Sequence, residues 1–514
     1  MVSSNRRLVI LLLLAAAVLT AAVPINDRAI VTDSFLEAFA LAEAHYAGKI
    51  DYDRVTSASI LGMLRALDPH SDYDTREEYM ELRSQQQSEY FGIGATVAQR
   101  QNKVYIISPF ANTPAMRAGL KYGDQIVEVD GQSTEGWNSA KVSSHLKGPR
   151  GTQVRVKVLR PGSSQPIEVS ISRAAVSLPS ITNAYMIKPG IGYIWLQRSF
   201  ARTSAEEMTA AVAKLKQQNM KKLILDLRDN GGGLVQAALD ILEMFIPQGQ
   251  VLLSVKGRQE VNNRTLESRN PAPETFPLAV VINNASASAS EIVAGALQDH
   301  DRAIIIGETS FGKGLVQTIF PLSEGAALRL TTAKYYTPSG RLIQRSYDGN
   351  SLYSYYVNRG KNDNSDRPQF KTDSGRPVYG SGGITPDIVV KSRRLTTNQI
   401  KLQEPIFLFT RELVNGQVKG LESFKVDNVN FNHVLRPDEF RISDQVLEAF
   451  KLFLQNAGFE VRYSPSIVDD NREVVRMLIR AEVVTAACGS ETARQVFIES
   501  DPQVLRAIEE LEKK

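Results

Sequence analysis

The chain has one cysteine, Cys488, in 514 residues, so no disulfide can form within it and packing alone must hold the fold. Histidine is scarce too, at five residues, and no cluster of His, Cys, Asp and Glu has the spacing of a metal site. Charge of one sign is not in excess: 60 basic against 56 acidic residues leave +4, which supplies no basic field for nucleic acid. No internal repeat is present. The apolar run from Leu8 to Val23 spans sixteen residues, short of the ~20 that a membrane-spanning helix usually needs.

Apolar residues make up 43% of the chain, enough for packed cores in several domains. Arg6 and Arg7 precede the Leu8 to Val23 run, which ends in small residues, so 1–23 reads as a secretory leader with an uncleaved anchor as the competing reading. Export to the periplasm or another extracytoplasmic space follows, with membrane association through the N-terminus if the anchor is retained. Residues 30–88 show helical spacing interrupted by "LDPHSDYD", and 89–173 turn to short alternating strands around a helix near 138–146. From 174 to 392, apolar strands such as "IGYIWLQ", "KKLILDL", "PLAVVIN" and "RAIIIG" alternate with helical patterns, one of them opening on the capping signature Ser204-x-x-Glu207. The expected fold is therefore an α/β multidomain protein with a β-rich module and helical ends, the last of which is 393–514. The polar, turn-rich stretch 345–383 reads as a surface excursion.

"NASASASEIVAGA", residues 284–296, places serines at 286, 288 and 290 between an apolar strand and a helix starting near Ala289. A strand that ends at a helix N-terminus presents a hydroxyl beside free N–H donors, which favours Ser288 as a nucleophile. Ser288-Ala-Ser-Glu291 is equally a capping box, in which the hydroxyl only satisfies the helix. A base is also required. His300 stands twelve residues along the same helix, ~18 Å of rise away, and nothing in the sequence places another histidine. Lys313, between Gly312 and Gly314 in "TSFGKGLVQ", is a candidate because a desolvated lysine can act as a base, although a lysine in a turn is more often solvated. Gly231-Gly232-Gly233, after "LILDLRDN", can aim N–H groups at an oxyanion, cradle a phosphate, or simply turn the chain.

In combination, "YFGIGA", "PAMRAGLKYGDQIVEVDG", "LILDLRDNGGGL", "NASASASEIVAGALQD", "TSFGKGLVQ", "YYTPSGRLIQ" and "GRPVYGSGGITPD" resemble the carboxy-terminal processing, or tail-specific, proteases over roughly residues 30–392. The resemblance implies a crotonase/ClpP-like protease core with an inserted PDZ domain at 89–173. It makes Ser288 the nucleophile, Lys313 the general base and Gln317 the residue that orients the amine. Backbone N–H groups of Gly232 and Ala289 would serve as oxyanion donors, and Phe91, Gly92, Ile93 and Gly94 would form the PDZ loop that grips a terminal carboxylate. Neither a metal nor an organic cofactor is implied. Lys313 and Gln317 would stand ~13 Å apart on a straight strand, so a bend or bulge is required between them. Gly231 replaces a common proline and Ala285 a common glycine, which implies a more mobile oxyanion loop. His70 is expected to be structural.

The implied activity is Ser/Lys endopeptidase cleavage of extracytoplasmic polypeptides with accessible C-terminal tails. An adaptor lipoprotein and self-association through the helical ends are compatible with it. The rival readings are a catalytically inactive PDZ-based peptide-binding scaffold and an acyl-CoA enzyme that uses the glycine loop.

Overall fold

The computed structural model describes residues 25–347, 352–357, 367–456 and 466–513, so the leader or anchor expected at 1–23 lies outside the described residues. The chain divides into two compact units, 1–75 and 76–514. In the smaller, helices Ile25–His45 and Tyr52–Arg65 are followed by the short strand Asp72–Asp74. The second helix starts where the Asp51 carboxylate accepts the Arg54 N–H, and it is tied to the first where the Tyr52 hydroxyl donates to Glu43 at 2.6 Å. After it, Asp68 accepts from the N–H groups of His70 and Ser71 at 2.7 and 2.8 Å, which fixes the "LDPHSDYD" turn. Among the described residues no helix is long and apolar enough to cross a membrane.

The larger unit begins with helix Arg76–Gln86 and a β-module. Strands Ala95–Arg100, Lys103–Pro109, Gln125–Val129, Gln153–Leu159 and Ile167–Ser172 pair antiparallel in that order, and helix Ser139–Leu146 packs on their buried face through Val142 and Leu146. Strand Glu89–Gly92 enters the module paired to strand Ala174–Ser177 as it leaves.

Beyond it lies a six-stranded sheet in the order Ile181–Lys188, Ile191–Leu196, Lys222–Asp226, Leu278–Ile282, Ala303–Gly307, Ile388–Val389, parallel from its second strand onward. Alternate side chains point to opposite faces, as the period of two in a strand requires. Leu223, Leu225, Leu278, Val280 and Ile282 meet helices Ser204–Gln217, Val235–Glu243 and Ala289–Asp299. Tyr193, Ile224, Ala279, Val281 and Ile306 meet Val504, Ala507, Ile508 and Leu511 of the last helix, Pro502–Glu512. Both faces are covered, which is why these strands read as unbroken apolar runs.

A second, antiparallel sheet is built from Val251–Gly257, Arg264–Glu267, Leu315–Pro321 and Ala327–Tyr336. Helices Thr397–Leu413, Asp444–Asn456 and Arg472–Cys488 pack around Phe407, Phe409 and Phe450. This bundle grips the β-module: Tyr105 and Tyr122 meet the Phe407 ring edge-on at 5.2 and 5.4 Å, and the Tyr122 hydroxyl donates to the half-buried Glu482 at 2.7 Å.

Two local readings need correction. Helix Ser204–Gln217 is preceded by Thr203 as its N-cap, not Ser204. The Ser204 hydroxyl instead accepts the Ala201 N–H, and the Glu207 carboxylate accepts the Thr203 hydroxyl at 2.6 Å and the Ile181 N–H at 2.9 Å. The stretch 345–383 is not wholly superficial either. Tyr355, in helix Leu352–Val357, is buried against Phe311 and Arg345, anchors that its polar neighbours conceal in the sequence.

Candidate active site

The three alternating serines have different jobs. Ser286 is fully buried, and its hydroxyl donates to the Leu227 carbonyl at 2.8 Å. Ser290, also buried, donates to the Asn230 carbonyl at 2.9 Å. Both therefore stitch the turn after strand Leu278–Ile282 to the loop after strand Lys222–Asp226. Ser288, half-buried between them, sits at φ 54° and ψ −113°, outside the comfortable regions for a residue with a β-carbon. Such strain at a strand-to-helix turn is held by its surroundings and sets the side chain apart from the helix that follows.

Glu291 does much of the holding. Its side chain is buried and accepts the Ser288 N–H at 2.8 Å, the Lys313 N–H at 2.8 Å, the Gly312 N–H at 2.7 Å and the Ser310 hydroxyl. The Glu291 N–H goes to the Ser288 carbonyl at 2.8 Å, so main chain and carboxylate together close the helix start. Burial raises the Glu291 pKa, while the bonds from Ser310, Lys313, Gly312 and Ser288 pull the other way. On the carbonyl side, the Tyr335 hydroxyl lies 2.7 Å from the Lys313 oxygen and 3.1 Å from that of Ser288. Ser288 and Lys313 thus share one acceptor for their amides and one hydroxyl for their carbonyls.

Lys313 and Gln317 also meet. Strand Leu315–Pro321 slips register against Ala327–Tyr336 between Val316 and Gln317. With that irregularity, Lys313 Nζ donates to Gln317 Oε1 at 2.6 Å, a contact that a straight strand could not make. His145, His300 and His433 use ring nitrogens elsewhere, on the Lys141 carbonyl, on Asp373 and the Val251 carbonyl, and on Glu439.

The glycine loop reaches Ser288 with no slack. A Cβ on Gly232, at φ +103°, would lie 2.7 Å from Ser288 Cβ and 3.0 Å from the Ala289 nitrogen. Of the two expected oxyanion donors, Gly232 N–H is already donating to Asn230 Oδ1 at 2.8 Å. Asn230 is itself fixed, donating to the Leu196 carbonyl at 2.8 Å and accepting the Ala287 N–H at 3.0 Å on its own carbonyl. The loop Phe91 to Gly94 belongs to the separate β-module. There Phe91 is exposed and Ile93 lies in the module's core, while a Cβ on Gly94 would strike Thr113 at 2.4 Å. A cavity of about 230 Å³ lined by Phe110, Asn183, His433 and Glu491 includes none of these residues.

Glu291 entered the sequence reading only as half of a helix cap, and Tyr335, Asn230 and Ser310 did not enter it as site residues. The spacing Ser288-x-x-Glu291 carried a signal for the first, whereas Tyr335 comes from a strand whose proximity only the fold reveals.

The model for peptidase family S41 matches residues 190–349 and that for the PDZ domain residues 92–171. A carboxy-terminal-processing protease of Bartonella bacilliformis is 38% identical over 315 residues, 60% of this chain and 72% of that one. A carboxy-terminal processing protease of Bacillus subtilis is 32% identical over 334 residues, 63% of this chain and 69% of its own. Among solved structures, a photosystem II D1 C-terminal processing protease is 26% identical, covering 71% of this chain and 86% of its own with a TM-score of 0.38.

Proposed function

Since the chain belongs to the carboxy-terminal processing proteases, serine-type peptidases with a PDZ domain, we propose that it cleaves peptide bonds with Ser288 as nucleophile and Lys313 as general base. The observation that carries this reading is the shared frame of the two residues: both amides bind Glu291, and the Lys313 amine is held by Gln317 at 2.6 Å.

Lys313, as the free amine, takes the Ser288 hydroxyl proton while the oxygen attacks the scissile carbonyl. The Ala289 N–H donates to the developing oxyanion, and Gly232 N–H exchanges Asn230 Oδ1 for it. Collapse breaks the C–N bond, and Lys313 returns the proton to the leaving amine. Water then attacks the ester carbonyl, losing a proton to Lys313, and as the bond to Ser288 Oγ breaks Lys313 returns that proton to the hydroxyl.

The PDZ loop Phe91 to Gly94 would capture the terminal carboxylate of a flexible tail, with the neighbouring strand edge pairing to the peptide. The substrates would be extracytoplasmic polypeptides, in keeping with the leader or anchor read in the sequence. An adaptor lipoprotein and assembly with a second copy are compatible with this activity.

The test is degradation of a disordered protein, with and without an apolar C-terminal tail, by the wild type, Ser288→Ala and Lys313→Ala. Cleavage by the wild type alone, faster with the tail, is expected, with each variant slower by roughly 10⁴-fold or more. Cleavage that survives in Ser288→Ala would overturn the dyad. An inactive wild type that also fails to label at Ser288 with a fluorophosphonate would favour the peptide-binding scaffold.

A further inference from the structure

The loop that carries Gly232 is anchored from a distant part of the chain. Arg228, two residues before Asn230, is buried, and its Nε and Nη2 atoms grip the fully buried Asp226 at 3.0 and 2.6 Å. Its remaining arm, Nη1, leaves the loop and donates to Asp501 Oδ2 at 2.7 Å and to Gln503 Oε1 at 2.8 Å. Gln503 is held in turn, donating to the Val390 carbonyl at 2.7 Å. Asp501 and Gln503 open the last helix, which lies outside both matched family segments, 92–171 and 190–349. One guanidinium therefore fixes the start of the glycine loop to strand Lys222–Asp226 on one side and to the last helix on the other.

We infer that Asp501 and Gln503 are positioning residues for the oxyanion loop, acting through Arg228 on Asn230 and Gly232. The inference rests on the peptidase reading above. A buried guanidinium that loses an acceptor must seek another, and the loop would move with it. The loop has little room for this, because Gly232 is packed directly against Ser288. Transition-state geometry should suffer, while substrate capture, which uses other residues, should not.

Asp501→Asn separates this role from helix capping. Asp501 Oδ1 accepts the Gln503 and Val504 N–H groups, a task asparagine also performs, whereas the Oδ2 position becomes an amide donor facing Arg228. Lys188→Ala is the control, since it breaks only an exposed ion pair with Glu512 near the far end of the same helix.

The full chain is assayed on a peptide substrate after active-site titration, and hydrogen exchange is followed at residues 228–233. For Asp501→Asn, kcat per titrated site should fall about tenfold or more with KM within about twofold. The Gly232 amide should exchange faster while helix Ser204–Gln217 stays protected, and Lys188→Ala should match the wild type in both measurements. Unchanged kcat and unchanged exchange would overturn the inference. So would a loss that follows only the fraction of folded protein, because that marks a purely structural role. Failure of the peptidase reading is seen separately, as activity surviving in Ser288→Ala or absent from the wild type. Hydrogen exchange still decides the loop's anchoring in that case.

Discussion

Ser288 stands between two loops that are secured in different ways. The Ser288 and Lys313 turns are clamped from inside by Glu291, three residues along the same helix, while the glycine loop is clamped through Arg228 by Asp501 and Gln503, more than 270 residues away. One clamp is a single buried carboxylate that accepts four hydrogen bonds. The other is a guanidinium shared between two acidic side chains and an amide. The first can fail only as a unit, because every bond ends on the same two oxygens. The second can lose one partner and keep the rest, so damage to it should be graded.

The largest effect is therefore expected at Glu291. Glu291→Gln keeps one acceptor oxygen but turns an amide toward N–H groups that need acceptors, leaving buried donors unpaired at a cost of ~1–3 kcal/mol. Because those donors belong to Ser288, Gly312 and Lys313, kcat should fall roughly 10²-fold or more, well beyond the loss at Asp501→Asn. Steady-state kinetics and thermal unfolding of the two variants side by side check this. Equal losses would erase the distinction between the clamps.

Gly232→Ala tests the contact where the two loops meet. The added methyl would lie 2.7 Å from Ser288 Cβ and 2.8 Å from the Ala287 carbonyl, on a residue whose φ of +103° already disfavours a side chain. Activity should fall roughly 10²-fold, with ~1–3 kcal/mol of destabilisation from strain. Gly231→Ala, where a Cβ would meet open space, should be nearly silent in the same assays.

Acid should separate rate from stability. Burial raises the Glu291 pKa, so its proton binds more tightly in the folded chain than in the unfolded one. Its contribution to stability is full below the unfolded pKa and is lost as pH rises through the folded value. Protonation nonetheless replaces an acceptor with a donor at the dyad. A pH–rate profile should show an acid limb above the ordinary carboxylate range, at pH values where unfolding has not begun, and Glu291→Gln should lack that limb. A profile in which rate falls only with the fold would refute it.

Much of this was written locally in the chain. The apolar strands, the turn into helix Ala289–Asp299 and the need for a bulge before Gln317 follow from periodicity, capping chemistry and the rise of a strand. The strand-to-helix pattern favoured Ser288 but could not say what Ser286 and Ser290 do, because their roles depend on Leu227 and Asn230, carbonyls some 60 residues away. Helix Pro502–Glu512 is amphipathic enough to announce a buried face, yet periodicity does not name the sheet it covers. Ser204-x-x-Glu207 misled by one residue: Thr203 precedes the helix and donates its hydroxyl to Glu207, while Ser204 accepts the local Ala201 N–H and Glu207 also holds the distant Ile181 N–H. The resemblance supplied roles for Lys313 and Gln317 that residue chemistry left open, but it was silent on 393–514, from which both the grip on the β-module and the Arg228 anchor arise.

The smallest effect should come from Tyr335, which touches the carbonyls of both Ser288 and Lys313. Its hydroxyl carries one proton for two acceptors, so Tyr335→Phe removes about one hydrogen bond, ~1 kcal/mol, and should slow kcat only a few-fold. Burial pushes the phenol well above its ordinary value, so it stays a donor throughout the range in which Glu291 titrates. The Tyr335→Phe loss should accordingly be the same fraction at every pH, whereas the Glu291→Gln loss shrinks as the wild type itself descends its acid limb. Parallel pH–rate curves for wild type and Tyr335→Phe would place the pH-sensitive part of the dyad's frame on the amide side. Curves that converge in acid would mean that the hydroxyl and the carboxylate act as one network, and the internal clamp would then extend from Glu291 to Tyr335.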